Sequence, residues 1–371
     1  MSGGAAVQVD AELADLYTNR DDAAVDLGHD RQRRRAARIQ RATVIVERLE
    51  ACPALVPPGG PQWEVERIGD GDDDDGAAAT ALPRQPSVDW ALPGLDPASE
   101  STLSPHDARR KREQLASMLG LLRAHVLPRL KLRGGGAALS FVDFACGAGH
   151  LGLLIACAVP GSRVTLVDVQ EAALDTARRR IASIGPDVAS RVTTRCCKIS
   201  EFEQSFDCAV CLHGCGPLVD EVVSQAVRHS AAFCVVPCCY GELLAPRSAA
   251  FRSQGHWLDA EAFVQLARTA EHPGGETSGV DACVEYVVDG PLPRRAMRML
   301  DCDRALALSE AGLGYVTRLA RLSPLACSPK HDVLLGWHGD GSEVATDAQF
   351  TGGSGERDDD RTLIDGLPWL G

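Results

Sequence analysis

The chain has 371 residues, 45% hydrophobic and 24% charged, a balance ordinary for a soluble globular protein and long enough for one large domain or two modest ones. No run approaches the ~18 uninterrupted apolar residues of a membrane-spanning helix. The first thirty residues, with Asp10, Glu12, Asp15, Asp21, Asp22, Asp26 and Asp30, do not read as a secretory signal or an acid-poor transit peptide, so a cytoplasmic location is expected. The formal net charge is −13, yet residues 105–340 hold 26 Lys+Arg against 25 Asp+Glu, so the acid lies in the flanks and the middle of the chain is near neutral. Repulsion of an anionic substrate therefore does not follow from the whole-chain figure.

In chain order, residues 1–55 read as an N-terminal helical segment. Ile39, Ala42, Val46 and Leu49 repeat at helical spacing, beside a cluster of Arg33, Arg34, Arg35, Arg38 and Arg41 that is read as a solvated face. Residues 56–104, rich in Pro, Gly, Ala and Asp with an unbroken Asp72–Asp75 run, form a linker. A helix is expected over about 106–127, with Leu115, Met118, Leu119, Leu122 and Val126 on one face and Pro128 as its stop. Strands follow at 139–145, 164–167, 192–196, 206–212 and 232–236. A closing hairpin follows at 315–322 and 333–337, and residues 341–371 form an acidic flexible tail. A helix with Leu174, Ala177, Ile181 and Ile184 on one face falls between the second and third strands. Short continuous apolar strands alternating with amphipathic helices specify an α/β, doubly wound, mostly parallel sheet over 105–340 with an antiparallel last strand. Its ligand is expected beyond the carboxyl ends of the strands, where the strand order reverses.

The loop after the first strand reads FVDFACGAGHLGL, and Gly147, Gly149 and Gly152 satisfy G-x-G-x-x-G. Asp168 ends the next strand, 19 residues after Gly149, the spacing of an acid that hydrogen-bonds ribose hydroxyls. Two nucleotide cofactors compete for such a turn. A dinucleotide would place its pyrophosphate at the helix N-terminus, whereas S-adenosylmethionine carries a sulfonium and a cationic amine. Asp143, late in the first strand, would attract that amine and repel a pyrophosphate. S-adenosylmethionine is therefore the expected cofactor, and an NAD-dependent oxidoreductase the alternative.

The loop VDFACGAGHLGL with Asp168 resembles motif I and the following acid of class I methyltransferases. LHGCG (212–216), VPCCYGEL (236–243), Arg294-Arg295 and ACSPKHDVLLG (326–336) together resemble the methyltransferase domain of the glutathione S-transferase C-terminal domain-containing proteins. The His-x-Cys-Gly and Cys-Cys-Tyr pairing is similar to that of a wider methyltransferase-like group, which includes enzymes that 2′-O-methylate tRNA. The resemblance covers about residues 105–338. It implies a Rossmann-like class I fold, S-adenosylmethionine as cofactor, and RNA (tRNA or rRNA) as the leading acceptor, with no DNA or membrane partner. Two departures are visible: Ala145 stands where many such enzymes have the first loop glycine, and Cys196-Cys197-Lys198 replaces the acid often found beside the adenine.

The resemblance implies cofactor contacts from Asp143, Ala145, Gly147, Gly149, Asp168, Lys198 and His213. His213, at the end of the fourth strand, is a candidate general base, with Cys238 and Tyr240 as further catalytic candidates. Arg110, Lys111, Arg294 and Arg295 are candidates for contacts to an RNA acceptor. Base N-methylation is disfavoured, because no Asn or Asp followed by Pro-Pro and an aromatic stands there. A Cys3His metal set from Cys215, Cys238, Cys239 and His213 is conceivable. However, adjacent Cys238-Cys239 is poor chelate spacing, so packing beside the cofactor is expected and no metal. A non-catalytic binding module and a methyltransferase acting on protein or a small molecule are the alternative functions.

Overall fold

The computed structural model describes residues 27–50, 86–99, 103–134, 137–244, 260–271 and 292–339. The expected acidic tail, most of the 56–104 linker and both ends of the expected N-terminal helical segment lie outside the described residues. Two compact units are present, one built on a sheet (Trp63–Cys239, Gly279–Cys283 and Gly312–Gly371) and one helical (Met1–Gln62, Tyr240–Ser278 and Val284–Ala311).

The sheet unit contains β1 (Ser140–Phe144), β2 (Arg163–Asp168), β3 (Val192–Cys196), β4 (Cys208–Gly214), β5 (Ala232–Pro237), β6 (Tyr315–Arg321) and β7 (Asp332–His338), in the order β3-β2-β1-β4-β5-β7-β6. The first five strands run parallel and β7 runs antiparallel to both β5 and β6. This is the mostly parallel, doubly wound sheet expected, and its order reverses between β1 and β4. Burial explains the continuous apolar runs: all six residues of β5 and the first five of β4 are buried.

Helices α2 (Pro105–Leu121), α3 (Leu127–Gly134), α4 (His150–Ala158), α5 (Glu171–Ser183), α6 (Pro186–Ala189) and α7 (Leu218–Arg228) belong to the same unit. Ser104 caps α2, its hydroxyl accepting from Asp107 N, and Pro105 occupies the first turn, where its missing N–H costs nothing. Pro128 does not stop the helix as expected. A π-helical turn over Leu122–Val126 widens the coil ahead of it, and α3 continues through Pro128 to Gly134.

The linker also ends earlier than its composition suggests. Leu95 is 1% exposed within the main core. Asp96 takes a two-pronged hydrogen bond from Arg112, Nε to Oδ1 at 2.8 Å and Nη2 to Oδ2 at 2.6 Å, and Arg180 donates to the Leu95 carbonyl. The packed sheet unit thus includes residues that carry no apolar periodicity.

In the helical unit, α1 (Leu27–Glu50), α8 (Ala260–Glu271) and α9 (Leu292–Glu310) pack together with the 3-10 turn Tyr240–Leu244. Ala42, Val46 and Leu49 of α1 are buried, as their spacing predicts, whereas Ile39, grouped with them by the same spacing, is exposed. The N-terminal helix therefore shares its core with helices drawn from between β5 and β6 and is not a separate segment. No described helix is long and apolar enough to cross a membrane.

Candidate active site

A cleft of ≈ 490 Å³ opens at the carboxyl ends of β1 and β4, on either side of the strand-order reversal. Arg110, Lys111 and Gln114 of α2 line one wall. The glycine loop, Ala145 to Ala148 with His150, lines another, and Leu212 and His213 close it from β4.

The loop's glycines do distinct jobs. Gly152 lets α4 lie against the sheet: a Cβ there would stand 2.2 Å from Leu166 Cδ2 and 3.2 Å from Asp143 Cβ. Gly149, at φ +76°, combines a left-handed turn with a similar approach, 2.6 Å from Leu166 Cδ1. Ala145, in the position of the missing first glycine, adopts φ +51°, a conformation costing an L residue roughly 1–2 kcal/mol. His213, at a register shift between Leu212 and Gly214, has φ +73°. Only one other described non-glycine residue, Ser230, has a positive φ, so backbone strain concentrates at the cleft, where function can justify it.

The two loop acids share one face of the sheet. Asp143 stands opposite Leu166, two residues before Asp168 on the neighbouring strand. Asp168 anchors the loop: its Oδ2 accepts from Gly147 N at 2.8 Å and its Oδ1 from Gln170 N at 2.9 Å. Asp143 is 2% exposed and accepts from Gly152 N at 2.9 Å. It does not form part of the cleft wall, so its visible role is to hold the first turn of α4. Burial pushes its pKa up to about 7, against the opposing pull of the Gly152 hydrogen bond and the Lys111 charge.

His213 belongs to a chain of hydrogen bonds that the sequence does not announce. Its Nε2 lies 3.0 Å from Oε1 of Gln114, and Gln114 Nε2 donates to the Cys327 carbonyl at 2.7 Å. A carbonyl can only accept, so the amide of Gln114 must present its oxygen to the imidazole. His213 therefore carries its proton on Nε2, and Nδ1 is the acceptor nitrogen. The Cys327 carbonyl also accepts from Arg110 Nε at 3.2 Å. Thus the CSPKHD segment, whose part in the site the sequence left undefined, acts through its backbone to fix α2 and the histidine. Burial first, then the charges of Lys111 and Arg110, push the His213 pKa down to about 4, so the ring is neutral near pH 7.

Arg110 and Lys111 are thus in the cleft as expected, whereas other candidates are not. Tyr240 is 2% exposed in the helical unit and donates its hydroxyl to Asp301 Oδ2 at 2.7 Å, so it serves that unit's core and offers no surface for a substrate base. Arg294, 6% exposed, is likewise buried in α9, and Arg295 is half-buried on the same helix; neither forms an open phosphate-binding face. Lys198 is exposed after β3, 3.8 Å from Glu201. Cys238 lies beyond β5 against Cys215 and Cys239. Sequence reasoning missed Gln114 and His150. His150 directly follows the second loop glycine, and burial depresses its pKa to about 3.

The residues present fit S-adenosylmethionine. Arg110 and Lys111 offer cations to the carboxylate of an amino-acid head, and Asp168 fixes the backbone of the glycine loop that lines the cleft beside them. Val169, directly after Asp168, is 61% exposed, an apolar surface that a flat base could cover. A Cβ at Gly147 would meet nothing within 4 Å, so the loop backbone faces open space there.

Residues 110–246 match a family model described as a methyltransferase domain. The glutathione S-transferase C-terminal domain-containing protein homolog of Drosophila pseudoobscura pseudoobscura is 30% identical over 258 residues, 68% of this chain and 40% of that protein. The mouse protein of the same name is 28% identical over 257 residues, 67% of this chain and 37% of that protein. The chain thus spans about two fifths of the length of the curated relatives it matches. Among solved structures, magnesium protoporphyrin IX methyltransferase from Synechocystis PCC 6803 with bound SAM aligns over 66% of this chain and 90% of that chain, at 12% identity and a TM-score of 0.37. Residues 110–246 thus match a methyltransferase domain, and they lie on the mostly parallel sheet of order β3-β2-β1-β4-β5-β7-β6.

Proposed function

We propose that the protein is an S-adenosylmethionine-dependent methyltransferase acting on a hydroxyl group of RNA. The observation that carries this reading is the neutral, oriented His213 at the cleft: its Nε2 is committed to Gln114, which leaves Nδ1 as an acceptor for an acceptor-substrate hydroxyl. When bound, S-adenosylmethionine supplies an electrophilic methyl group. His213 Nδ1 would orient the hydroxyl and accept its proton. With a pKa near 4 it is a weak base, so positioning contributes more than proton abstraction. Arg110 and Lys111 hold anionic groups in the cleft, the cofactor's carboxylate or a phosphate of the acceptor. Asp168 keeps in place the loop backbone that would hold the cofactor.

RNA as the acceptor rests on the resemblance of LHGCG, PCCYG and CSPKHD to the methyltransferase-like group and on this pair of cations. Transfer of tritium from labelled cofactor into cell extract, with ribonuclease and protease controls, tests it. Label that ribonuclease removes supports RNA, and label that survives ribonuclease but not protease places the acceptor in protein. Lys198, exposed where an adenine-side acid is often found, favours a second reading: a methyltransferase-like module that binds cofactor without turnover. Absence of any transfer by folded, cofactor-binding protein would favour that reading.

A further inference from the structure

The ends of β4 and β5 bring three thiols to one point. Cys215 directly follows β4, and Cys238 and Cys239 directly follow β5; Gly214 stands opposite Pro237 in the sheet. The Sγ of Cys215 lies 3.2 Å from that of Cys238 and 3.4 Å from that of Cys239, and the last two are 3.6 Å apart. Neighbouring residues in a strand point to opposite faces, which is why Cys-Cys looks like poor chelate spacing. Here the chain has left β5 at Pro237, and both sulfurs turn to the same side. Among the described residues this is the one group of three such side chains close enough to share an ion.

Packing alone explains the trio poorly. The S–H group is a weak donor and sulfur a weak acceptor, so three thiols in contact satisfy one another little. A soft ion replaces three protons with three strong bonds. We propose that Cys215, Cys238 and Cys239 form a binding site for a thiophilic metal ion, Zn2+ foremost, at the β4–β5 edge of the sheet unit. Thiolate ligands select Zn2+ or Cu+ over harder cations. The triangle of sulfurs has corners about 2.0 Å from its centre, so at a Zn–S distance of ~2.3 Å the ion stands about 1.2 Å above the sulfur plane, with its fourth position open. His213 is not part of the group, so the Cys3His set weighed from sequence is reduced to three sulfurs. Binding releases three protons to solvent and leaves a net charge of −1. The positive charge of Lys330, which acts on Cys239, offsets part of it. Cys215 and Cys239 are half-buried, not sealed, which leaves the ion a way in.

The test uses the full chain, purified under reduction and without oxygen, stripped with chelator and titrated with Co2+. The expected result is one equivalent bound, with intense near-ultraviolet sulfur-to-cobalt charge-transfer absorption that Zn2+ displaces. Cys215→Ser, Cys238→Ser and Cys239→Ser each weaken binding at least a hundredfold, the triple variant abolishes it, and Cys157→Ser on α4 leaves it unchanged. Alkylation of the wild-type protein, read by mass spectrometry, covers the case in which a variant fails to fold: Zn2+ is expected to protect these three thiols together. Absence of the charge-transfer bands, their persistence in the triple variant, unaltered alkylation with Zn2+, or a Cys215–Cys238 disulfide in protein kept reduced would each overturn the proposal. S-adenosylmethionine plays no part in these assays, so the metal site stands or falls apart from methyl transfer.

Discussion

The Oε1 of Gln114 lies 3.0 Å from the Nε2 of His213, and the same amide donates to the Cys327 carbonyl at 2.7 Å. One side chain thus links α2, the end of β4 and the turn before β7, and decides which imidazole nitrogen bears the proton. Gln114→Glu exchanges the amide for a carboxylate beside the ring. It is expected to raise the His213 pKa from about 4 and move the acid limb of the methyl-transfer pH profile upward by a unit or more. A profile identical to wild type would mean that His213 does not act in transfer.

Gly152→Ala tests why the loop ends in glycine. Its Cβ would fall 2.2 Å from Leu166 Cδ2, so α4 must lift or Leu166 must leave its rotamer, at a cost of about 1–3 kcal/mol. Thermal denaturation should show a drop of several degrees for a domain of this size. Adding Leu166→Ala to Gly152→Ala should lower stability by less than the sum of the two single losses, because the clash is gone in the pair.

Asp143 makes stability depend on pH. Its folded pKa, about 7, lies above the ordinary value of 3.8, so between these the folded state holds a proton that the unfolded chain has lost. The corresponding stability is complete below about pH 4 and fades as pH rises through 7. Asp143→Asn keeps an oxygen for Gly152 N and removes the titration. Relative to wild type, this variant should gain stability between pH 5 and 8, by up to an amount on the order of 4 kcal/mol at about 1.4 kcal/mol per pKa unit. His150 and His213, whose pKa values are depressed, act oppositely and lower stability as pH falls below 6.5. Comparing the two proteins in parallel urea titrations cancels their effect.

The same carboxyl reports on the cofactor. A cationic amine near Asp143 favours its ionised form, so S-adenosylmethionine binding at pH 6.5 should release a fraction of a proton. Calorimetry in buffers of different ionisation enthalpy measures that fraction. Asp143→Asn should remove it, and an equal release in both proteins would assign it elsewhere.

The centre of the sheet is legible in the sequence because β4 and β5 are buried on both faces and read as nearly unbroken apolar runs. Gly152 and Asp168 are legible because their spacing reflects one geometry, a helix lying close on two parallel strands. Gln114 is not. It sits on the buried face of α2 beside Leu115 and Met118, and its partner on the far side is a backbone carbonyl, which leaves no side-chain signature. The burial of Tyr240 and Arg294 is illegible for a related reason. Residue type suggests chemistry, but only the fold assigns them to the core of the helical unit. Pro128 reads as a helix stop because the sequence does not reveal the π turn that accommodates it. The thiol trio is half legible: three cysteines flank two strand ends, but strand periodicity sets Cys238 and Cys239 on opposite faces until the chain's exit from β5 is known.

Calorimetric titration of S-adenosylmethionine into the folded wild-type chain and into Asp168→Ala, with circular dichroism of both, addresses the cleft directly. One molecule is expected to bind per chain, with affinity reduced at least a hundredfold in the variant, because the acid at the end of β2 that fixes Gly147 is lost. No heat of binding from folded wild-type protein, or equal affinity in the two proteins, would contradict a cofactor held at this loop.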